Sequence, residues 1–261
     1  MDYKLSTREG TDLHEEVAQL GQRACCPDQT NYYRGEVILA PGDRGGALYY
    51  IQRGKVKLVY RDENARRLTL AILGKGELFG ETTLVGSETC PLWAEAWTDC
   101  CLCEVSWDRL RESIAQHPQL SLQLMKLIVN HEQMLLQRLG DLFFRSAPVR
   151  LACQLLELGQ RFGRRTSKGL EIAIKHKDLA DLCGIYRETA STILSQMALA
   201  KLLRSQQGQI VLLNLEGLAQ VAAQRHWIPY WASNRANRAP VLNRKRSSLC
   251  AELAIGRSAV L

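Results

Sequence analysis

Long apolar runs are missing from this 261-residue sequence; the longest, such as Leu-Thr-Leu-Ala-Ile-Leu at 68–73, fall far short of the roughly 20 residues that cross a bilayer. The opening residues, MDYKLSTREGTDLHEE, hold no apolar stretch of the kind a secretory signal requires, so a cytoplasmic protein without membrane contact is expected. Catalytic spacings are missing too. There is no GxxxxGKS/T loop to cradle phosphates and no His-Glu-x-x-His helix to hold zinc, and five scattered histidines do not suggest a Ser-His-Asp set. No enzyme, no catalytic residue and no metal site of these kinds is expected.

Surplus positive charge is nearly absent from most of the chain, although the net charge is +7. From Arg225 onward stand seven Lys and Arg against one acid, which leaves 27 basic and 26 acidic residues before it. Global charge therefore says little about a nucleic-acid partner, and local geometry must carry that question. Cysteine is not scarce. Nine in a reducing compartment are expected as thiols rather than disulfides, which leaves metal and redox roles open.

Residues 32–107 carry short runs rich in β-branched and aromatic residues, GEVILAPGD, ALYYIQRGKVKLVY, RRLTLAILGKGELFGE and AEAWTDCCLCEVSW, with Gly35, Gly42, Gly54, Gly76 and Gly80 at the breaks. That spacing predicts a small barrel or jelly roll. From Ser106 the period changes: Leu120, Leu124, Leu127, Ile128, Met134, Leu135, Leu139 and Leu142 recur at three-to-four spacing. A helix that long exceeds what a small roll can cover, which favours a dimer seam, while His131 and Arg138 on or beside the stripe keep an ordinary core-facing helix open.

Downstream, FFRSAPVRLACQLLELGQRFG restarts a helix near Pro148, and a polar loop GRRTSKG and a short strand LEIAI follow. HKDLADLCGIYRETASTILSQM, residues 176–197, then reads as two short helices around Gly184, and LLRSQQGQIVLLN as two strands around Gln207-Gly208. Helix, strand, helix-turn-helix and wing make a winged-helix domain. The tail from 225 to 261 has two tryptophans, no clear period and a basic cluster at 244–246. Poorly ordered chain and added phosphate contacts are both open readings of it.

A glycine-punctuated roll, a long helix and a C-terminal winged helix in this order resemble the cyclic-AMP receptor and fumarate–nitrate reductase regulator superfamily of bacterial transcription factors. The match covers roughly residues 12–222 and rests on GELFGE at 76–81, on Gly35, Gly42-Asp43 and Gly54, and on HKDLADLCGIYRETASTIL. The resemblance implies an α+β chain with a cyclic-nucleotide-binding-like β-roll (jelly roll) at 12–118 and a dimerisation helix at 119–145. A winged helix-turn-helix at 146–224 and the basic tail at 225–261 complete it. It implies a homodimer that binds double-stranded DNA at a palindromic site, answers to a small-molecule effector and, as an activator, touches RNA polymerase. The basic loop 164–169, with Arg164, Arg165 and Lys168, falls where some family activators make that last contact.

The family's reading helix carries Arg-Glu-x-x-x-Arg or Glu-x-x-Ser-Arg. Arg187 and Glu188 match the first pair and Ser191 the serine, while Thr192 replaces the final arginine and puts the usual half-site in doubt at that base. Arg187 is expected to fork onto guanine O6 and N7 and Glu188 to accept from cytosine N4, each discriminating by about 1–3 kcal/mol. Lys175, His176, Lys177 and Tyr186 are expected on phosphates, fixing register without reading sequence. A rival of another class, a cyclic-nucleotide-binding regulatory subunit acting on a protein partner, would need the roll alone and has no use for a base-reading helix.

In members that bind cyclic AMP, a glutamate holds the ribose and an Arg-Ser pair the cyclic phosphate. Here Glu81 is kept between Gly80 and Thr82, but Cys90-Pro91 stands where Arg-Ser would. Proline has no N–H and cysteine no positive charge, so cyclic AMP in the usual manner is not expected, while another anion or metabolite stays open. In iron–sulfur members one ligand lies in a Cys-Glu-Ile strand late in the roll, which Cys103-Glu104-Val105 resembles. Upstream, only the adjacent Cys25 and Cys26 stand, and a four-cysteine set would have to recruit Cys100 or Cys101. The signal is left between a metabolite, thiol oxidation and an iron–sulfur cluster. Cys101, Cys153 and Cys183 are expected as core residues, and the lone His117 and His131 as surface or interface histidines rather than haem ligands.

Overall fold

The computed structural model describes residues 29–43, 47–64, 66–81, 90–206 and 208–223. Among them eight short strands come first: β1 (Gln29–Tyr32), β2 (Val37–Leu39), β3 (Ala47–Arg53), β4 (Val56–Arg61), β5 (Arg67–Leu73), β6 (Leu78–Phe79), β7 (Trp93–Ala96) and β8 (Cys100–Ser106). They form two antiparallel four-stranded sheets, ordered β1-β8-β3-β6 and β2-β7-β4-β5, the jelly-roll arrangement the glycine-broken runs predict. Gly54 joins β3 to β4 at φ 87°, where a Cβ would collide with the Asp99 carbonyl, so a side chain is excluded both by conformation and by space. Strand β1 lies outside the expected strands. Its residues, Gln-Thr-Asn-Tyr, are polar and largely exposed, and they are extended because they pair with β8 from Gln29↔Cys103 to Tyr32↔Cys100.

Alternation along β8 fills two cores at once. Cys103 and Val105 join Leu48, Tyr50 and Leu110, while Cys100 and Leu102 join Ile51, Leu73, Phe79 and Ala94 between the two sheets. The first core is closed by helices α1 (Trp107–Gln116) and α2 (Gln119–Phe144), through Leu110, Leu120, Leu124 and Leu127. One turn and more beyond Leu127, Met134 packs against the second core. The stripe expected on α2 is thus two faces rather than one. Leu120, Leu124, Leu127 and Met134 point to the roll, whereas Leu122, Met125, Val129, Leu136, Leu139 and Phe143 are all exposed, from 45% at Val129 to 79% at Phe143. These six alternate steps of three and four with one gap, filled by Glu132, as in a coiled-coil seam, and Ile128, Leu135 and Phe144 are exposed beside them.

Across the sheet of β4, β5 and β7, Glu95 is only 4% exposed and yet ionised. Burial alone would raise its pKa, but Arg67, Lys57 and Arg61 more than reverse this and hold it at about 2. Lys57 Nζ lies 3.0 Å and Arg67 Nη2 2.7 Å from Oε2, Arg61 pairs with Oε1, and the Arg61 guanidinium sits 4.0 Å from the centre of the Trp93 ring.

The chain divides into two compact units inside α2, one ending at Leu136 and the other beginning at Gln137. The second continues with α3 (Ala147–Phe162), β9 (Arg164–Thr166), β10 (Gly169–Ala173), α4 (His176–Cys183), α5 (Arg187–Leu199), β11 (Leu203–Gln206), β12 (Gln209–Leu212) and α6 (Leu215–Ala223). Pro148 stands in the first turn of α3, where its missing N–H has no helical partner to lose. Strands β11, β12, β10 and β9 form one sheet in that order, so the expected wing is present. Two features differ from the sequence reading. The polar loop after α3 is half of a hairpin, with Gly169↔Thr166 and Glu171↔Arg164 in register, because the neighbouring strand rather than propensity satisfies its backbone. Helix α6, unanticipated after the wing, packs on α3 and buries Leu218, Ala219 and Ala222.

Replacing Glu95 with Gln removes the charge that three buried-facing cations share, and urea unfolding of the roll is expected to show a loss of about 3 kcal/mol at neutral pH. Because the folded pKa is depressed, the native advantage is full above about pH 4.5 and fades as pH falls toward 2, while Glu95→Gln shows no such loss.

Candidate functional site

Helix α4 ends at Gly184, in the left-handed region at φ 61°, with its N–H on the Ala180 carbonyl. The chain then enters α5 through Ile185 and Tyr186. Leu179, Leu182 and Cys183 of α4 are buried, as are Ala190, Ile193, Leu194 and Met197 of α5. This leaves Arg187, Glu188 and Thr192 exposed on α5, as the motif anticipates. Thr192 Oγ1 donates to the Glu188 carbonyl at 3.0 Å, so the group it keeps for a base is its methyl. Thr189, Ser195 and Gln196 are exposed as well, and so is Arg204 on the wing strand β11. The sequence reading passed over these four; the helical phase of Ile193, Leu194 and Met197 was the signal for the three on α5.

His176 and Ser191 bind each other: His176 Nδ1 lies 3.0 Å from Ser191 Oγ, and Nε2 lies 2.7 Å from Ser205 Oγ. Through both ring nitrogens His176 ties the start of α4 to α5 and to β11. Burial, and then the Arg187 charge, lower the His176 pKa, in keeping with a neutral bridging imidazole. Lys175, Lys177 and Tyr186 remain exposed beside α5's N-terminus. Arg164, Arg165 and Lys168 are exposed on the β9–β10 hairpin, with Arg164 Nη2 3.2 Å from Glu171 Oε2.

In the roll, Gly80 adopts φ 98° and a Cβ there would press on the Ala47 carbonyl at 2.8 Å. Glu81 beside it is engaged: its Oε1 lies 2.7 Å from His131 Nδ1 on α2. Burial pulls the His131 pKa down, but the hydrogen bond and charge of Glu81, with Glu77 behind, raise it above the ordinary value. Cys90 is buried in the inner core and its thiol donates to the Leu92 carbonyl at 3.1 Å, while Pro91 is exposed. Thr82 lies outside the described residues.

Among the described residues, Cys90 and Cys100 share the core between the sheets, and Cys103 lies in the other core. Cys100 and Cys103 belong to different cores on opposite faces of β8, so they do not converge on one cluster, and Cys25 and Cys26 lie outside the described residues. Burial first, then the neighbouring Cys101, pushes the Cys100 thiol up to about 11, far from a reactive thiolate. Cys101, Cys153 and Cys183 are buried, as core residues are expected to be. Among the described residues no group of three or more His, Cys, Asp or Glu is placed to hold a metal, and no helix is long and apolar enough to cross a membrane.

Two family models match the chain: the cyclic nucleotide-binding domain over residues 29–117 and the Crp-like helix-turn-helix domain over residues 149–221. Over 196 residues the chain is 33% identical to the CRP-like cAMP-activated global transcriptional regulator of Mycobacterium tuberculosis, covering 74% of this chain and 87% of that one. It is 28% identical over 169 residues to the cAMP-activated global transcriptional regulator CRP of Salmonella typhimurium, covering 64% and 80%. A CRP/FNR-family transcriptional regulator from Thermus thermophilus has a TM-score of 0.68 at 28% identity, over 76% of this chain and 100% of that one. The c-di-GMP responsive global regulator CLP of Xanthomonas campestris, at 23% identity and a TM-score of 0.68 over 76% and 98%, shares the fold.

The Glu81–His131 pair has a definite pH signature. The folded His131 pKa is raised, so its contribution is full below about pH 6.5 and disappears as pH rises through the raised value. An NMR titration of the imidazole is expected to show that upward displacement, and Glu81→Gln is expected to abolish it.

Proposed function

The chain belongs to the cyclic-AMP receptor and fumarate–nitrate reductase regulator superfamily of transcription regulators, with an effector-binding roll and a DNA-binding helix-turn-helix, and from that premise we propose a cytoplasmic homodimer that reads a palindromic duplex through α5. The observation that carries this reading is the division of α5 into a buried face and an exposed one bearing Arg187, Glu188 and Thr192. Arg187 forks onto guanine, Glu188 accepts from cytosine and the Thr192 methyl meets a thymine methyl. Lys175, Lys177, Tyr186 and Arg204 hold phosphates and set the register. The exposed seam from Leu122 to Phe143 is closed by a second copy, so that a two-fold axis puts two α5 helices in successive major grooves, about 34–36 Å apart. A regulatory subunit acting only on a protein partner leaves that exposed face of α5 without a role.

The effector is a small molecule other than cyclic AMP held in the usual manner. The relatives from Mycobacterium tuberculosis and Salmonella typhimurium are cAMP-activated, whereas this chain presents Cys90-Pro91 at the phosphate position, with the thiol turned to a backbone carbonyl. A metabolite is favoured over oxidation or an iron–sulfur cluster, because Cys100 and Cys103 sit in separate cores and burial raises the Cys100 pKa. The effector biases populations of two DNA-binding geometries through α2. Arg164, Arg165 and Lys168 on the β9–β10 hairpin supply the contact to RNA polymerase.

Selection from random duplexes should return an inverted repeat. Arg187→Ala should weaken binding to it by about 1–3 kcal/mol and relax the guanine preference, with the dimer unchanged in sedimentation; a palindrome read equally well by this variant removes Arg187 from the reading set. Leu136→Glu places like charges face to face in the seam, and sedimentation is expected to show monomers at concentrations where the native chain is dimeric.

A further inference from the structure

The last turns of α2 belong to the DNA-reading unit, which begins at Gln137. Exposed Leu139 and Phe143 on that stretch present the seam, and next to Leu139 Arg138 turns the other way, half-buried in its own unit. Its Nη2 donates to the Leu182 carbonyl at 2.7 Å, in the final turn of α4. Arg150 on α3 does the same one residue further along: Nε donates to the Cys183 carbonyl at 2.9 Å, and Nη1 to the Arg145 carbonyl at 2.7 Å, where α2 has just ended. The C-terminus of a helix leaves carbonyls without helical partners and carries partial negative charge, so a forked cation fits it on both counts. Two guanidinium groups thereby fasten the end of α4, immediately ahead of the Gly184 turn, to the end of the helix that bears the seam.

Helices α4 and α5 are joined by that turn and share a packed core, so α5 follows wherever the end of α4 is held. Arg138 itself sits on α2, away from the exposed face of α5. Resting on the homodimer reading above, we infer that Arg138 is a positioning residue that translates the geometry of the seam into the angle of α5, and so sets the spacer length the dimer accepts between half-sites. Arg187 reads which bases are present, and Arg138 determines how far apart the two readings are made. One inserted base pair turns one half-site against the other by about 35° and moves it by about 3.4 Å. A rigidly held pair of helices does not follow that displacement, and a loosened pair does.

The test uses the full-length protein and a duplex series carrying the selected inverted repeat with its native spacer and with one or two base pairs added or removed. Native protein is expected to lose about tenfold in affinity per base pair changed, and Arg138→Met about threefold or less, with base preferences within each half-site and the dimer unaltered. Arg187→Ala is expected to do the reverse, losing base preference and keeping spacer preference. If folded, dimeric Arg138→Met keeps the native spacer preference, the inference is overturned while the homodimer reading stands. If Arg138→Met does not fold, Arg138→Lys, which keeps the charge and loses the fork, decides it: unchanged spacer preference overturns the inference and a broadened one supports it. If native protein selects no paired half-sites at all, the homodimer reading fails and takes this inference with it.

Discussion

One helix has to satisfy two apolar faces, and the described residues cover only one of them. Leu120, Leu124 and Leu127 of α2 complete the core under the first sheet, and Met134 reaches the core between the sheets. On the other side Leu122, Met125, Val129, Leu136, Leu139 and Phe143 stand in solvent in the single chain. Burying a large apolar side chain is worth about 1.5–3 kcal/mol, so six left exposed in coiled-coil order represent a large unused driving force for association. A roll that docked on α2 by a different phase would consume the seam. The placement of two polar groups on α2 follows from this division: His131 and Arg138 lie off the seam, where Glu81 and the end of α4 receive them.

Buried charge in this chain is placed where elements must be tied together. Glu95 joins three strands through Lys57, Arg61 and Arg67, and its depressed pKa reports how well the cations compensate the loss of water. Glu81 and His131 join the roll to α2, and Arg138 and Arg150 join α2 and α3 to α4. The Glu81–His131 contact lies within the first unit, and the Arg138 and Arg150 contacts lie within the second, at the turn before α5. Each is a contact between elements rather than within one, which is what a signal must use if it is to move one element against another.

One departure from the family pattern falls in each unit. At the roll, Cys90, which the resemblance aligns with the cation of the cyclic-AMP-binding pattern, donates its thiol to the Leu92 carbonyl. At α5, Thr192 replaces an arginine and turns its hydroxyl back to the Glu188 carbonyl. Both substitutions exchange a long charged donor for a short group satisfied by the protein itself.

Local sequence was enough to specify the roll, the long helix, the helix-turn-helix and the wing, along with the exposure of Arg187, Glu188 and Thr192. Short-range periodicity, glycine at turns and the phase of a few apolar residues set these features, and all three are written within a few residues of where they act. The remainder came from tertiary packing. β1 is extended because β8 lies beside it; α2 has two faces because the roll covers one; His176 bridges Ser191 and Ser205. Glu81 is held by a histidine 50 residues away, and Cys100 and Cys103, three residues apart, are sent to separate cores. In each case the outcome depends on which distant side chain arrives, a matter of three-dimensional packing that no local spacing encodes.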